Sequence, residues 1–257
     1  MFFLNKREQD KLNNHNCDDI GFVDIHCHIL PGLDDGSQDI ETTKNMLDIA
    51  YKDGIRNIVF TPHVRRPWLS RPIEDVMEAY KSTKVEVEKN YKDLEVYLGC
   101  ELYFSHEIIE DYSKLIIPID DTDYLLVEFS TQAHFSDMTS GLQELVNRGF
   151  IPIVAHIERY NCLVSKPDRV RELYNKGIYL QMNADTIAKP ADRIIKNFVK
   201  YVLDNRFIHF VSTDSHDVIH RRPEISKAYK IVAERSGEKY AREVCSENAL
   251  NILRGIS

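Results

Sequence analysis

The feature that most constrains the fold of this chain is a rhythm. Seven short apolar runs, at 21–25, 55–60, 94–99, 123–127, 151–155, 178–182 and 207–212, each precede a segment with helical spacing or a turn into one. Runs of this length rich in Val, Ile, Leu and Phe read as buried strands. Their alternation with helices predicts parallel βα units, and seven such units predict a closed barrel in the α/β class. In a barrel of that kind the C-terminal strand ends converge on one face, where the site lies. The helices expected between them cover about 37–52, 73–91, 106–115, 142–149, 167–176 and 194–202. Ser37 is placed to cap the first, and Ile40, Thr43, Leu47 and Ala50 form its inner face.

The strand ends carry the chemistry. His26 and His28 follow the first run, His63 the second, Glu101 the third, Glu128 the fourth, His156 the fifth, and Asp214 with His216 the seventh; the sixth ends at Asn183. His26 and His28, two apart on a strand, should share a face, with Cys27 turned away as packing. A Pro31-Gly32 turn brings Asp34 and Asp35 back towards them, and spacing leaves either as a ligand. So many imidazoles and acids meeting in one place would be severe unpaired charge without cations. They are too many for one ion and suit a cluster of two or three, with manganese, iron or zinc fitting the mixed nitrogen and oxygen donors.

Arg159 and Arg221 (with Arg222) follow ligand positions closely, and guanidinium forks match phosphate oxygens. Three divalent ions set against four or five carboxylates and a hydroxide leave roughly zero or one positive charge, which suits a phosphate dianion. Cysteine-based phosphatase chemistry needs Cys-x5-Arg, yet Val23, Leu33, His106, Asp168 and Asn251 stand six residues after the five cysteines. No G-x4-GK phosphate loop occurs. Asp121-Thr122-Asp123 precedes its strand and reads as a turn. The Arg65-Arg66-Pro67-Trp68 loop after His63 is placed to meet residues around a bound phosphate ester.

Composition narrows the partners. Of 257 residues, 43% are hydrophobic and 29% charged, ordinary for a globular chain. The net charge of -8 argues against nucleic acid. No apolar run approaches the ~20 residues of a membrane span, and the polar stretch 1–19 lacks a secretory core, so 20–257 is expected to be one catalytic domain after a tail. Unpatterned cysteines, Cys17 among them, point to reduced thiols and a cytoplasmic location.

DIHCHILPGLDDGS (24–37), TPH (61–63), GCEL (99–102), LLVEF (125–129), IVAHIERY (153–160) and STDSH (212–216) resemble the PHP superfamily of metal-dependent hydrolases. More closely, they resemble the bacterial capsule and exopolysaccharide tyrosine-protein phosphatases of the CpsB/CapC type. The resemblance implies a distorted (β/α)7 TIM-like barrel holding three divalent metals, often manganese. It implies His26, His28, His63, Glu101, Glu128, His156, Asp214 and His216 as ligands, plus one of the Asp34-Asp35 pair, with Asp35 favoured. It also carries over Arg159 and Arg221 as phosphate-binding residues, and a phosphorylated tyrosine kinase of polysaccharide synthesis as partner. The expected chemistry is attack by a metal-bridged hydroxide, with Asp214 or a nearby His supplying a proton to the leaving phenolate. The rivals are a small-molecule phosphatase, such as one acting on histidinol phosphate, and a non-catalytic scaffold that binds the kinase.

Overall fold

The computed structural model describes residues 21–256; the polar tail 1–19 and Cys17 lie outside the described residues. Nine strand segments appear in chain order: β1 (Phe22–Cys27), β2 (Ile55–Phe60), β3 (His63–Val64), β4 (Glu95–Leu98), β5 (Glu101–Tyr103), β6 (Tyr124–Glu128), β7 (Ile151–Val154), β8 (Tyr179–Asn183) and β9 (Phe210–Ser212). They form two parallel sheets, β1-β2-β4 and β3-β5-β6-β7-β8-β9. The nine segments make seven rungs. Pro62 has no N–H to give the ladder, so β2 and β3 are one strand interrupted at Thr61-Pro62, and β4 and β5 are one strand interrupted at Gly99-Cys100. Gly99 N–H to Phe60 O (2.9 Å) and Glu101 N–H to Pro62 O (3.1 Å) carry the pairing across the gap. The expected third strand, 94–99, is therefore longer than read and runs through Glu101.

The barrel closes between its first and last rungs. Cys27 bridges Ser215 in parallel, Asp214 N–H donates to His26 O at 2.7 Å, and His28 N–H donates to Ser215 O at 2.8 Å. Alternate residues of the rungs, including Val23, Ile25, Val59, Leu126, Ile153 and Phe210, make one interior cluster. Ala249 and Ile252 of the helix Asn248–Leu253 complete it and plug the end opposite the site. The larger cluster, with Phe22, Met46, Leu47, Phe60, Leu125, Val154 and Phe198, lies between the rungs and the outer helices.

Plain alternation would send His26 outwards, since Val23 and Ile25 face inwards. A bulge prevents this. Asp24 pairs with Ile58 and Cys27 with Phe60, so three steps along β1 match two along β2. The extra residue turns His26 towards the barrel centre while Cys27, fully buried, donates from Sγ to Val59 O.

The first helix, Ile40–Asp53, is capped by Asp39 and not by Ser37: Asp39 accepts from Thr42 N–H, and Gly54 ends the helix at φ 99°. Ser37 is buried earlier, its N–H on His28 O and its Oγ beside Thr43 Oγ1 at 2.9 Å, and so fastens the loop below the site. Met46 takes the inner place expected for Ile40, which is exposed. The segment read as one helix over 106–115 is a helix at His106–Asp111 and a separate 3-10 turn at Ser113–Leu115. Asp121-Thr122-Asp123 is a turn, with Thr122 N–H on Ile119 O. Cys27, Cys100, Cys162 and Cys245 are free thiols. Among the described residues no helix is long and apolar enough to cross a membrane.

At the plugged end, His209 stacks on Tyr174 (5.0 Å between ring centroids) and its Nδ1 accepts from Leu180 N–H at 3.1 Å. A protonated Nδ1 could not accept, and burial already lowers this group to about 4. The unfolded chain takes up the proton near pH 6.5 and the folded chain does not until about 4, so stability falls as pH drops through that window. Urea unfolding at pH 7 and pH 5 should show the wild type losing about 2 kcal/mol more than His209→Gln. Equal losses in the two proteins would remove His209 from the acid response.

Candidate metal centre

Each candidate ligand leaves its strand where the backbone stops pairing. His26 and His28 are fixed by what their Nδ1 atoms touch. His26 Nδ1 lies 3.2 Å from Gln181 Oε1, and His28 Nδ1 lies 2.8 Å from Asp34 Oδ2. With those atoms engaged, the two Nε2 atoms face each other at 3.3 Å. Both also face carboxylates: Glu101 at 3.3 Å from each ring, and Asp214 Oδ1 at 3.4 and 3.5 Å. His156 Nε2 stands 2.9 Å from Glu101 Oε1 and 3.5 Å from Glu128 Oε2. His63 Nε2 and His216 Nε2 approach Asp35 Oδ1 at 3.3 and 3.4 Å.

All nine residues expected at the site are brought together. They fall into four overlapping groups whose donor atoms lie within 4.8 Å of one another: His28, Asp35, His63 and His216; His26, His28 and Asp214; His26, Glu101 and His156; His63, Glu101 and Glu128. The groups share members, as bridged cations require. The two aspartates separate cleanly. Asp34 is buried and spends its oxygens on His28 Nδ1, His63 N–H and Gly36 N–H, so it positions a ligand. Asp35, half exposed, points its carboxylate at two imidazoles. Gly36 allows this turn because a Cβ there would sit 2.1 Å from His28 O.

The donor set fits divalent cations. Two imidazole nitrogens facing each other inside a ring of carboxylates lack enough protons to satisfy every contact. Glu101 Oε2 and His63 Nδ1 are 2.9 Å apart yet out of hydrogen-bond alignment, leaving both as buried polar atoms without a partner. Burial opposes ionisation of Glu101, but the imidazoles around it, His26 first, outweigh that and hold its carboxyl well below the usual range. Asp214 is held down in the same way against its burial, by His26 and His28 and then by Arg159 and Arg221. Both therefore offer charged oxygen donors.

Two of the five described non-glycine residues with positive φ stand here: His156 (φ 32°) and Asp214 (φ 51°) occupy the left-handed region, at a cost of about 1–3 kcal/mol each for a residue that carries a Cβ. Arg159 Nη2 reaches Asp214 Oδ2 at 2.6 Å, and Arg221 Nη2 reaches Asp214 Oδ1 at 2.5 Å, so both arginines meet on one candidate ligand. Arg65 adds a third guanidinium, donating from Nη1 to Glu128 Oε1 at 2.8 Å.

Sequence reasoning placed Asn183 at a strand end but gave no supporting role to it, to Gln181 or to Asp24. Gln181 Oε1 accepts from His156 N–H at 2.7 Å as well as facing His26, and its Nε2 donates to Asn183 Oδ1. Asn183 Nδ2 in turn donates to Asp214 Oδ2 at 2.8 Å, so one amide chain steadies three candidate ligands. Asp24, pushed up to about 6 by burial, accepts from Thr213 N–H and Oγ1 and ties β1 to the Asp214 loop. Polar residues at alternate positions of an otherwise apolar strand were the available signal.

A family description, capsular polysaccharide synthesis, CpsB/CapC, matches residues 22–254. The chain belongs to the CpsB/CapC family. It is 34% identical over 238 residues to the tyrosine-protein phosphatase CpsB of Streptococcus agalactiae, covering 90% of this chain and 98% of that one. It is 30% identical over 234 residues to the tyrosine-protein phosphatase YwqE of Bacillus subtilis, covering 90% and 91%. Crystal structures of YwqE and of Streptococcus pneumoniae CpsB, described as unique metal-dependent tyrosine phosphatases, include a chain that superposes with a TM-score of 0.81. The identity there is 29%, over 91% of this chain and 95% of that one. Histidinol phosphate phosphatase from Lactococcus lactis shares the fold alone, with a TM-score of 0.58 and 14% identity over 83% and 93% of the chains.

Within this CpsB/CapC-family chain, Gln181→Leu removes the acceptor of His26 Nδ1 and His156 N–H while keeping bulk. Chelator competition should show manganese binding weakened about 10- to 100-fold, as losses of such supporting groups are in metal sites. Unchanged affinity in a folded variant would reduce Gln181 to packing.

Proposed function

We propose that this member of the CpsB/CapC family is a metal-dependent tyrosine-protein phosphatase of capsular polysaccharide synthesis, acting on a phosphotyrosine protein in the cytoplasm. We assign His26, His28, Asp35, His63, Glu101, Glu128, His156, Asp214 and His216 as ligands of three divalent cations, manganese first, with iron or zinc as alternatives. The kinase that drives polysaccharide assembly is the substrate the reading favours. The observation that carries it is the convergence of those nine side chains beneath two arginines.

Divalent cations held here supply Lewis acidity to a phosphoryl oxygen and acidify a bound water. The chain's own residues do the rest. Asp34, Gln181 and Asn183 fix the orientation of His28, His26 and Asp214 in turn. Arg159 and Arg221 set two guanidinium forks at one edge, where charge on the equatorial phosphoryl oxygens is neutralised. Asp214, nominated by sequence as a proton donor, is held ionised between those arginines and serves this reading better as their anchor. The phenolate leaving group, with a pKa near 10, needs little protonation. Thiol chemistry gains no support: burial pushes Cys27 well up and Cys100 up to about 12.

Exhaustive chelation should abolish turnover of a phosphotyrosine peptide, and added manganese should restore it. Arg159→Ala should lower kcat/KM about 100-fold in a protein that stays folded and metal-loaded. Full activity after chelation would sink the reading, and an unaffected Arg159→Ala variant would take that arginine out of the site.

A further inference from the structure

A cavity of about 360 Å³ opens beside the metal centre, lined by Arg65, Arg66, Tyr103, Ser105, Glu107 and Ile108. It is built by the same two strands that deliver ligands. His63 pairs with Glu101 and Val64 with Leu102; Arg65 follows directly on β3 and Tyr103, paired with Glu128, ends β5, so the two stand as neighbouring walls. Arg65 is held there: its guanidinium carbon lies 5.7 Å from the Tyr103 ring centre and 5.8 Å from that of Trp68. Trp68 is itself stacked on the candidate ligand His63 at 5.4 Å and 8°. Arg65 also touches the ligand set directly through Glu128. Through Arg65 the cavity adjoins the ligand set, within reach of a chain segment attached to a group held there.

The chemistry of the walls selects the occupant. Two guanidinium groups face it against one exposed carboxylate, Glu107, which pairs with Arg66 across the opening. Among the described residues, Arg65 uses only Nη1 and Arg66 only Nη2 on acceptors, so each planar fork keeps N–H donors for a second oxygen pair. The Arg66 side chain is 71% exposed and free to reorient towards an incoming group. Ring faces of Tyr103 and the side chain of Ile108 give the cavity an apolar floor that shelters an ion pair from water.

We propose that this cavity binds an acidic side chain flanking the phosphotyrosine of the substrate peptide, with Arg65 and Arg66 as the specificity-determining residues. The proposal rests on the phosphatase reading and names what that reading leaves open, the sequence around the phosphorylated tyrosine. It gives the loop after His63 its role.

The test uses the full chain loaded with manganese and three phosphotyrosine peptides that differ only in carrying Glu, Gln or Lys on both sides of the tyrosine. The wild type should favour Glu over Lys by about tenfold in kcat/KM, with Gln between, the size expected of one or two partly exposed ion pairs. Arg66→Glu should invert the order so that the Lys peptide is preferred. A ratio between peptides cancels any loss of folded or metal-loaded protein. The same three sequences with a non-hydrolysable phosphonate on the ring, measured by fluorescence anisotropy, should rank identically in binding. Kcat/KM values within twofold across the peptides, or a ranking that Arg66→Glu leaves untouched, would overturn the proposal. A failure to hydrolyse p-nitrophenyl phosphate as well as the peptides would instead strike the phosphatase reading, and the phosphonate peptides would still decide the flank preference.

Discussion

Charge taken out of water must be matched, and this barrel takes a great deal of it out. Glu101, Glu128 and Asp214 are buried with His26, His28 and His156 in one pocket. An unpaired carboxylate in such a place costs several kcal/mol even after relaxation. Imidazolium protons alone cannot settle the account, because His26 and His28 turn nitrogen to nitrogen. Cations can, since a divalent ion satisfies several lone pairs at once and binds only the deprotonated donors. The interior therefore makes physical sense as a site prepared for metal, and the rest of the architecture serves to keep those donors from drifting apart.

That service takes three forms. The bulge in β1 supplies the half-turn that aims His26 inward beside an apolar interior. Left-handed backbone at His156 and Asp214 returns two loops over the centre, strain that the surrounding hydrogen bonds over-determine. The Gln181–Asn183 chain and the Asp34 carboxylate orient rings and carboxylates from behind. None of these groups needs to touch substrate to matter, because losing such supporting groups weakens metal binding about 10- to 100-fold. The arginines complete the balance: Arg159 and Arg221 pair with Asp214, and Arg65 pairs with Glu128.

How much of this was legible in the chain follows from range. Eight of the nine converging residues could be read because each stands at or just past the end of an apolar run, and parallel barrels gather strand ends on one face whatever the details. The choice of Asp35 over Asp34 was left to resemblance, since two adjacent carboxylates on a Pro-Gly turn differ only in what the folded chain places beside them. Ser37 misled as a cap because both Ser37 and Asp39 suit the position; Asp39 wins where Ser37 is drawn inward by Thr43 and His28. The bulge in β1 has no local signature in a single sequence, being a property of paired strands, whereas Pro62 and Gly99 mark their interruptions but not that the rungs resume beyond them. Gln181 was visible as a polar residue in an apolar run, but its partners lie 25 residues back along the chain and beyond.

The central claim is that these side chains hold a cluster of cations and not a single ion or none. The most direct measurement is an anomalous-scattering map from crystals of the manganese-loaded protein, with total metal analysis on the same preparation. The account predicts three adjacent peaks, shared among His26, His28, Asp35, His63, Glu101, Glu128, His156, Asp214 and His216, with a stoichiometry of about three per chain. A pocket without peaks, or one ion bound away from these residues in protein that turns over phosphotyrosine, would contradict it.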